Sequence, residues 1–282
     1  MIVIIFEMRG VKEFCSMNFS MKHLLKIFRA VVVLGAVFFQ FSLQAQTQKI
    51  VRHQEQAWFS VNSTIKLTPK WALIADAHMR RNNFVADPSF YFLRFGADYF
   101  ITKQFSAVLG YGHMWVANAV ADTFIYTNEN RIYQQIQYSG KLNKTGILLR
   151  LRNEQRWQEK LVSNKKSDDL RFTDRIRYLT SVNFQVFKSP KLPRLMIADE
   201  ICMQLGKEVI YNPFDQNRFT IGIQQKINKN LSFDLGYMLV HQQRYPGNLY
   251  DENKTLRLFF YFTPDLTKAL KPEHHPHMSG DE

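Results

Sequence analysis

From residue 54 onward, hydrophobic and polar residues alternate along the chain with a period of two. In residues 54–67 the odd positions carry the apolar side chains Ala57, Phe59, Val61, Ile65 and Leu67, while the even positions are mostly polar. Alternation of this kind places the two sets of side chains on opposite faces of a β-strand. The segment is therefore predicted to be a strand with one apolar and one polar face.

The same alternation recurs as far as Phe262, and no helical segment competes with it. Residues 194–205 fit less well, because Asp199 falls on the apolar register. Eleven strands are predicted within 54–67, 73–80, 93–99, 105–112, 131–138, 147–156, 175–186, 194–205, 218–227, 231–239 and 255–262. Short turns at 68–70, 102–104, 140–144, 188–193 and 228–230 alternate with longer polar loops predicted at 82–89, 116–128, 158–170, 206–217 and 245–252.

Short turns on one rim and longer loops on the other are typical of an outer-membrane barrel. Alternation alone does not decide which face points outward, since a soluble β-barrel has the same pattern. Three features favour lipid contact: strands near the bilayer-crossing length of about 10 residues, a last strand that ends in the aromatic Phe262, and aromatic residues beside the short turns. These aromatic residues are Trp71, Tyr99, Phe100, Phe105, Tyr138, Phe184, Phe187 and Phe233.

The predicted fold is therefore all-β, an antiparallel up-and-down transmembrane β-barrel. Barrels of this class usually have an even number of strands and both ends on the same side of the membrane. About twelve strands are expected on that basis, the additional one near Lys49–His53, and ten is the alternative.

An export signal precedes the alternating region. Lys22, Lys26 and Arg29 are followed by an apolar stretch over residues 30–39 and a small residue at Ala45, which predicts a secretory signal peptide cleaved before Gln46. The apolar stretch is shorter than the roughly 20 residues of a spanning helix. The predicted organisation is an upstream segment with signal peptide over residues 1–45, a barrel over 46–264 and a disordered tail over 265–282, in the outer membrane of a Gram-negative cell.

Composition narrows the functional classes. The net charge is +13, but Lys and Arg are spread through the alternating segments, which disfavours nucleic-acid binding. Two cysteines exclude a disulfide framework. Three histidines in the tail, His274, His275 and His277, form too weak a group to predict a metal site. No cofactor and no metal are predicted, and the expected partners are outer-membrane lipids and the outer-membrane assembly machinery, while any small-molecule or ion ligand stays unknown.

If the apolar face meets lipid, the polar face lines the lumen and carries many arginines and fewer acids, Glu129 among them. In a narrow barrel these groups interlock as a plug, whereas a wider barrel leaves a basic pore that favours anions. The role is predicted to be structural or transport-related. The candidate lumen charge network comprises Asp76, Arg80, Arg94, Asp98, Arg131, Arg150, Arg152, Glu154, Arg156, Arg175, Arg177, Glu200, Arg218, Asp234 and Arg257.

Two alternatives belong to other classes. An outer-membrane lipid-modifying enzyme, of phospholipase or acyltransferase type, would need a Ser/His pair. The sequence offers His78, His113 and His241 with Ser106 and Ser232, but no spacing pairs them, so no catalytic residue and no enzyme activity are predicted. The third class is a soluble periplasmic β-barrel that binds a ligand.

Several runs resemble a bacterial family known as domain of unknown function 2490. The most specific is NPFDQNRFTIGIQQKINKNLSFDLGYM at 212–238, and weaker matches are LRLRNEQRW at 149–157, DRIRYLTSVNF at 174–184 and ADEICMQLG at 198–206. The order and spacing match over residues 54–263. The resemblance implies an exported, barrel-like protein and brings no activity with it.

Overall fold

The computed structural model of the chain describes residues 49–189, 191–209, 212–244 and 247–269. The signal peptide predicted within residues 1–45 and most of the predicted tail, from residue 270, lie outside the described residues. No helix in the described part of the chain is long and apolar enough to cross a membrane. Eleven strands make up that part: β1 (Ile50–Lys66), β2 (Trp71–Asn82), β3 (Asp87–Phe100), β4 (Phe105–Val120), β5 (Thr123–Leu142), β6 (Thr145–Val162), β7 (Lys165–Phe184), β8 (Arg194–Leu205), β9 (Phe214–Lys226), β10 (Leu231–Gln243) and β11 (Leu249–Phe262).

The strands form one closed barrel in chain order. Neighbouring strands are antiparallel except at the closure, where β1 pairs in parallel with β11 from Ile50↔Leu249 to Ser63↔Phe262. The predicted all-β barrel is confirmed, and it has eleven strands rather than twelve. Residues 50–53 are the first part of β1 and not a separate strand. A parallel ladder joins the backbone groups of the two end strands, so an odd number of strands closes without an exposed edge.

The connections define two rims. We call the side with the β1–β2, β3–β4, β5–β6, β7–β8 and β9–β10 connections the turn rim and the opposite side the loop rim. Because the strand number is odd, Ile50 starts β1 at the loop rim and Phe262 ends β11 at the turn rim. The expectation that both ends of the barrel lie on one side is therefore wrong.

Two of the predicted long loops are strand. The segments 116–128 and 158–170 continue β4–β5 and β6–β7 as paired strands that end in tight turns. The second turn is formed by Ser163 (φ 48°) and Asn164 (φ 62°), and two consecutive positive φ angles identify the hairpin turn that matches strand twist. The alternation pattern misses both extensions, because apolar side chains occupy odd and even positions alike in 116–128 and polar side chains dominate 158–170, although both backbones continue the ladder.

The apolar face of the strands points outward and the charged face inward. Leu109 and Ile136 are 61% and 56% exposed, whereas Arg152 and Glu154 are 3% and 2% exposed. A soluble barrel arranges its side chains in the opposite sense. The apolar cluster inside the barrel is small and centres on Trp58, with Met238, Val240 and Phe259.

Aromatic pairs mark both ends of the outward apolar band. At the turn rim the ring centroids of Trp71 and Tyr99 lie 4.9 Å apart, those of Phe105 and Tyr138 lie 5.0 Å apart and those of Phe233 and Phe260 lie 6.1 Å apart. Near the loop rim Trp157 and Phe172 are 5.4 Å apart. Aromatic pairs near both rims resemble the aromatic belts of membrane barrels.

The chain that follows β11 secures the turn rim. Residues 264–266 run beside the end of β1, where Lys66 donates a backbone hydrogen bond to the carbonyl of Pro264 and accepts one from Leu266. The hydroxyl and backbone N–H of Thr267 donate hydrogen bonds to Asp265 and lower the pKa of that carboxyl group. The first five residues of the predicted disordered tail, 265–269, are therefore part of the described structure, and those that follow β11 directly contact β1.

Candidate functional site: a charged lumen

Two carboxylates in the middle of the lumen organise the arginines around them. Glu154 of β6 lies 2.6 Å from the Arg177 guanidinium and within 4 Å of Arg131, Arg152 and Arg175. Their positions follow from strand parity, since each inward residue is flanked by inward residues of the two neighbouring strands. Adjacent strands thus place acid and base side by side.

The second central carboxylate is Glu200 of β8. It accepts hydrogen bonds from Arg150 at 2.6 Å, Arg218 at 2.7 Å and Arg177 at 2.9 Å. Arg177 therefore bridges the two central carboxylates. Because three guanidiniums from β6, β7 and β9 converge on one carboxylate, the contact joins strands that are not all neighbours in the barrel.

Two further acids extend the network towards the loop rim. Glu129 of β5 accepts from the Nε atoms of Arg131 and Arg156, each at 2.6 Å. Asp215 of β9 pairs with Arg175 at 2.7 Å and accepts from Gln204 at 2.6 Å. We call the connected set the lumen network: Arg131, Arg150, Arg152, Arg156, Arg175, Arg177 and Arg218 with Glu129, Glu154, Glu200 and Asp215.

The lumen network carries seven guanidiniums and four carboxylates, so positive charge is in surplus. Most of its members are shielded from water, from 2% exposure at Glu154 and Asp215 to 9% at Arg177. Removing one partner from a buried ion pair typically costs about 3–5 kcal/mol, because the other charge is left without compensation. The network therefore fixes the relative positions of β5 to β9, and its surplus charge makes the interior favourable for an anion.

Arg80 is the predicted network member with the most unusual surroundings. Its guanidinium lies 3.2 Å from the ring centroid of Trp58 and 4.3 Å from that of Phe90. No carboxylate of the described residues forms an ion pair with it. Cation–π contact stabilises the position of the guanidinium without neutralising its charge. Arg218 approaches the same Trp58 ring, at 5.3 Å.

The remaining predicted members lie outside the network. Arg94 pairs with Asp76, and Arg257 pairs with Asp234 at 2.9 Å, both on the turn-rim side. Asp98 is buried, and its Oδ1 has no hydrogen-bond partner among the described residues. The structure thus brings nine of the fifteen predicted residues into the network, namely Arg131, Arg150, Arg152, Glu154, Arg156, Arg175, Arg177, Glu200 and Arg218.

Two acids of the network are missing from the predicted set. The sequence assigns Glu129 to the lumenal face by its parity with Arg131, but not to the predicted charge network. Asp215 falls in a segment read as a loop, and the register between β8 and β9 shifts between Cys202 and Met203. This bulge turns both Asp215 and Gln216 inward, where they are buried, so a strict alternation cannot identify them.

Tyr133 of β5 packs between the network and the neighbouring strands β4 and β3. Its ring lies under the guanidiniums of Arg152 and Arg94, at 4.8 Å and 5.3 Å from the ring centroid. The ring fits because Gly96 and Gly110 face it across β3 and β4, and a Cβ at Gly110 would lie 2.4 Å from the Tyr133 ring. Glycine is required at Gly110 by this close approach.

The candidate catalytic residues do not form a pair. His78 is in the lumen against the ring of Phe92, whereas His113 is hydrogen-bonded to Asn130 and His241 lies beside Tyr250 on the outward face. None of the hydrogen bonds among the described residues joins a serine to a histidine. The described residues also contain no group of three or more potential metal ligands.

Comparison with known proteins places the chain in a family. A family model described as "Protein of unknown function (DUF2490)" matches residues 55–251. The chain belongs to this family. The match confirms the resemblance to this family that the sequence shows. The family description names no activity for this DUF2490 barrel.

Two further comparisons concern individual proteins. No curated protein matches the DUF2490 barrel. Among solved structures, the NanC porin in a rhombohedral crystal form is similar with a TM-score of 0.41 and 8% sequence identity, over 69% of this chain and 92% of that chain.

Proposed function

We propose that this protein is an outer-membrane β-barrel whose lumen is closed by an arginine–carboxylate network. The observation that carries the proposal is the inside-out arrangement of its side chains. Exposed Leu109 and Ile136 on the outside would leave a large apolar surface in contact with water if the barrel were soluble. In a bilayer the same surface contacts acyl chains. This arrangement disfavours a soluble periplasmic binding module.

The burial of the network supports a closed lumen. Side chains that line an open channel contact water, whereas Arg152, Glu154 and Arg175 are at most 5% exposed. Eleven strands also give a barrel intermediate between those filled by side chains and the 16–18-stranded open porins. We therefore assign the protein a structural role in the membrane rather than that of an open diffusion channel, and we assign no reaction to it.

A second candidate function is anion binding or gated anion passage. It is favoured by Arg80, which has no carboxylate partner among the described residues, and by the surplus of guanidiniums in the lumen network. Arginine suits such a role because its planar donors match carboxylate and phosphate geometry. Passage would require the network to open.

Membrane location is tested by fractionation and heat-modifiable gel migration. We expect the protein in the outer-membrane fraction, with a folded band that migrates differently before and after boiling in detergent. The machinery that inserts outer-membrane barrels is then an expected partner. Recovery in a soluble periplasmic extract would contradict the proposal.

Planar-bilayer recording separates the two functions. A closed lumen predicts no ohmic steps for the parent protein. Glu200→Gln should produce steps, since three guanidiniums lose their shared counter-charge. Anion-selective steps in the parent protein that lose selectivity in Arg80→Ala would support the second function and overturn the first.

A further inference from the structure

The positive charge of the lumen exceeds the carboxylates that are available to balance it. The lumen network has seven guanidiniums and four carboxylates, and Arg80 adds an eighth guanidinium beside it. On the turn-rim side, Arg94 pairs with Asp76 and Arg257 with Asp234, one acid for each base, so these pairs leave the surplus unchanged. Uncompensated charge that is shielded from water is costly, and a closed lumen of this composition therefore favours a bound counter-ion.

Arg80 is the guanidinium that lacks a hydrogen-bond acceptor. Its Cζ lies 3.2 Å from the ring centroid of Trp58 and 4.3 Å from that of Phe90, so the side chain is held between two rings. None of the hydrogen bonds among the described residues involves this guanidinium, although an arginine offers five N–H donors. The two rings restrict its position but supply no acceptor oxygen. The donors of Arg80 are thus fixed in place and unused within the described part of the chain.

Arg218 brings a second guanidinium to the same ring. Its Cζ lies 5.3 Å from the Trp58 ring centroid, and its charge interacts with that of Arg80 more strongly than any other charge does. The Nε atom of Arg218 donates to Gln216 at 3.0 Å and its Nη1 donates to Glu200 at 2.7 Å. Its Nη2 has no hydrogen-bond partner among the described residues. Two guanidiniums that repel one another therefore lie against one aromatic ring, and both have donors to spare.

The other charges near Arg80 do not neutralise it. Arg177 and Arg131 add to the repulsion, and Glu200 is the carboxylate that opposes it. That carboxylate already accepts hydrogen bonds from three other guanidiniums. The buried Asp98, which forms no ion pair with a described residue, lies at the turn-rim end of β3, whereas Arg80 lies near the loop-rim end of β2. The counter-charge that this position lacks is not supplied by a described side chain.

The unused donors select the class of anion. A guanidinium donates paired hydrogen bonds to the oxygens of a carboxylate or phosphate group, which chloride cannot accept in that geometry. A surplus of several charges also favours an anion with more than one negative charge. We propose that a multivalent oxyanion, of phosphate or carboxylate type, binds between Arg80 and Arg218 as the counter-charge of the lumen network. This site rests on the closed lumen of the proposed function, and it differs from anion passage because the ligand stays bound.

Unfolding of the full chain in different anions tests the site. The barrel is folded into phospholipid vesicles with inorganic phosphate, citrate or chloride on both sides of the membrane at one ionic strength, and is then titrated with urea. A ligand that binds only the folded state lowers the equilibrium constant of unfolding in proportion to its concentration above the dissociation constant. We expect a fall of about tenfold for each tenfold rise in phosphate or citrate in that range, and of about twofold or less for chloride.

Variants separate the site from the general stabilisation that phosphate and citrate give by exclusion from protein surfaces. Arg80→Gln should weaken binding at least tenfold, and so should Arg80→Lys, because an ammonium keeps the charge but lacks the planar pair of donors. The matched control is Arg194→Gln at the turn rim, which removes the same charge. Arg194 also has no ion pair with a described carboxylate, but its Nη2 donates to the carbonyl oxygens of Lys144 and Asn183 at 2.8 Å and 3.0 Å. This control should keep the response of the parent.

The outcomes are distinct once heat-modifiable migration shows that each variant is folded. A response to only one of phosphate and citrate supports the site and identifies the class of its ligand. Equal responses to all three anions overturn the proposal, as does a response that Arg80→Gln retains or that Arg194→Gln loses to the same extent. Planar-bilayer recording separates the site from the proposed function: silent bilayers without an anion response refute the site alone, whereas ohmic steps in the parent refute the closed lumen.

Discussion

Glu200→Gln is the substitution that tests the lumen network most sharply. The glutamine has nearly the same shape, but it carries no charge and turns an N–H group towards guanidiniums that are themselves donors. Arg150, Arg177 and Arg218 then lose the carboxylate that lies 2.6–2.9 Å from each of them. Because Glu200 is only 5% exposed, the three guanidiniums have little water around them in the folded parent barrel to compensate for the lost charge.

The expected loss in the free energy of unfolding is about 4 kcal/mol, within the range for breaking a buried ion pair. Urea titration of protein folded into phospholipid vesicles, followed by tryptophan fluorescence, measures it. The matched control is Glu208→Gln near the loop rim, where the carboxylate is 40% exposed and lies 3.4 Å from Lys160. Its expected loss is below about 1 kcal/mol. If both variants fall within 1 kcal/mol of the parent, the network does not stabilise the barrel as argued.

Other substitutions test the packing and the turns. Gly110→Ala should destabilise the barrel by about 1–3 kcal/mol in the same titration, because the added Cβ would meet the Tyr133 ring. The control is Gly146→Ala, where the added Cβ has room. A smaller loss of stability for Gly110→Ala than for Gly146→Ala would contradict this packing. Ser163→Gly should stabilise the protein by about 1 kcal/mol or less, because relief of the left-handed conformation of Ser163, about 1–2 kcal/mol, exceeds the roughly 0.4–1 kcal/mol that the freer unfolded chain costs. Lower stability of Ser163→Gly would refute that turn geometry.

Sequence alternation predicts the strands well for a physical reason. A barrel with an apolar outer wall and a polar lumen has one apolar and one polar face on every strand, so period two is present in each of the eleven strands. The residues 194–205 coincide with β8 as observed, despite the interruption at Asp199. The strand extension at 158–170 is missed because polar side chains occupy both of its faces, and the extension at 116–128 is missed because apolar side chains such as Ala117, Val120 and Ile125 occupy both parities.

The site is less predictable than the fold. Parity identifies Glu154 and Glu200 as inward, but which arginines each of them contacts depends on strand stagger and on the barrel's curvature. The bulge at Asp215 breaks parity, so that carboxylate could not be assigned to the lumen from the pattern. The odd number of strands is equally hidden, because nothing in the alternation indicates that β1 and β11 pair in parallel.

The outward direction of the apolar face is the central claim, and it can be measured directly on β10. Spin labels at successive positions from Leu235 to Leu239 report contact with oxygen dissolved in lipid and with a water-soluble nickel complex. High oxygen accessibility is predicted at Leu235, Tyr237 and Leu239, with low accessibility to both reagents at Gly236 and Met238. Alternation of the opposite phase, or nickel accessibility at the leucines, would contradict a barrel that faces lipid.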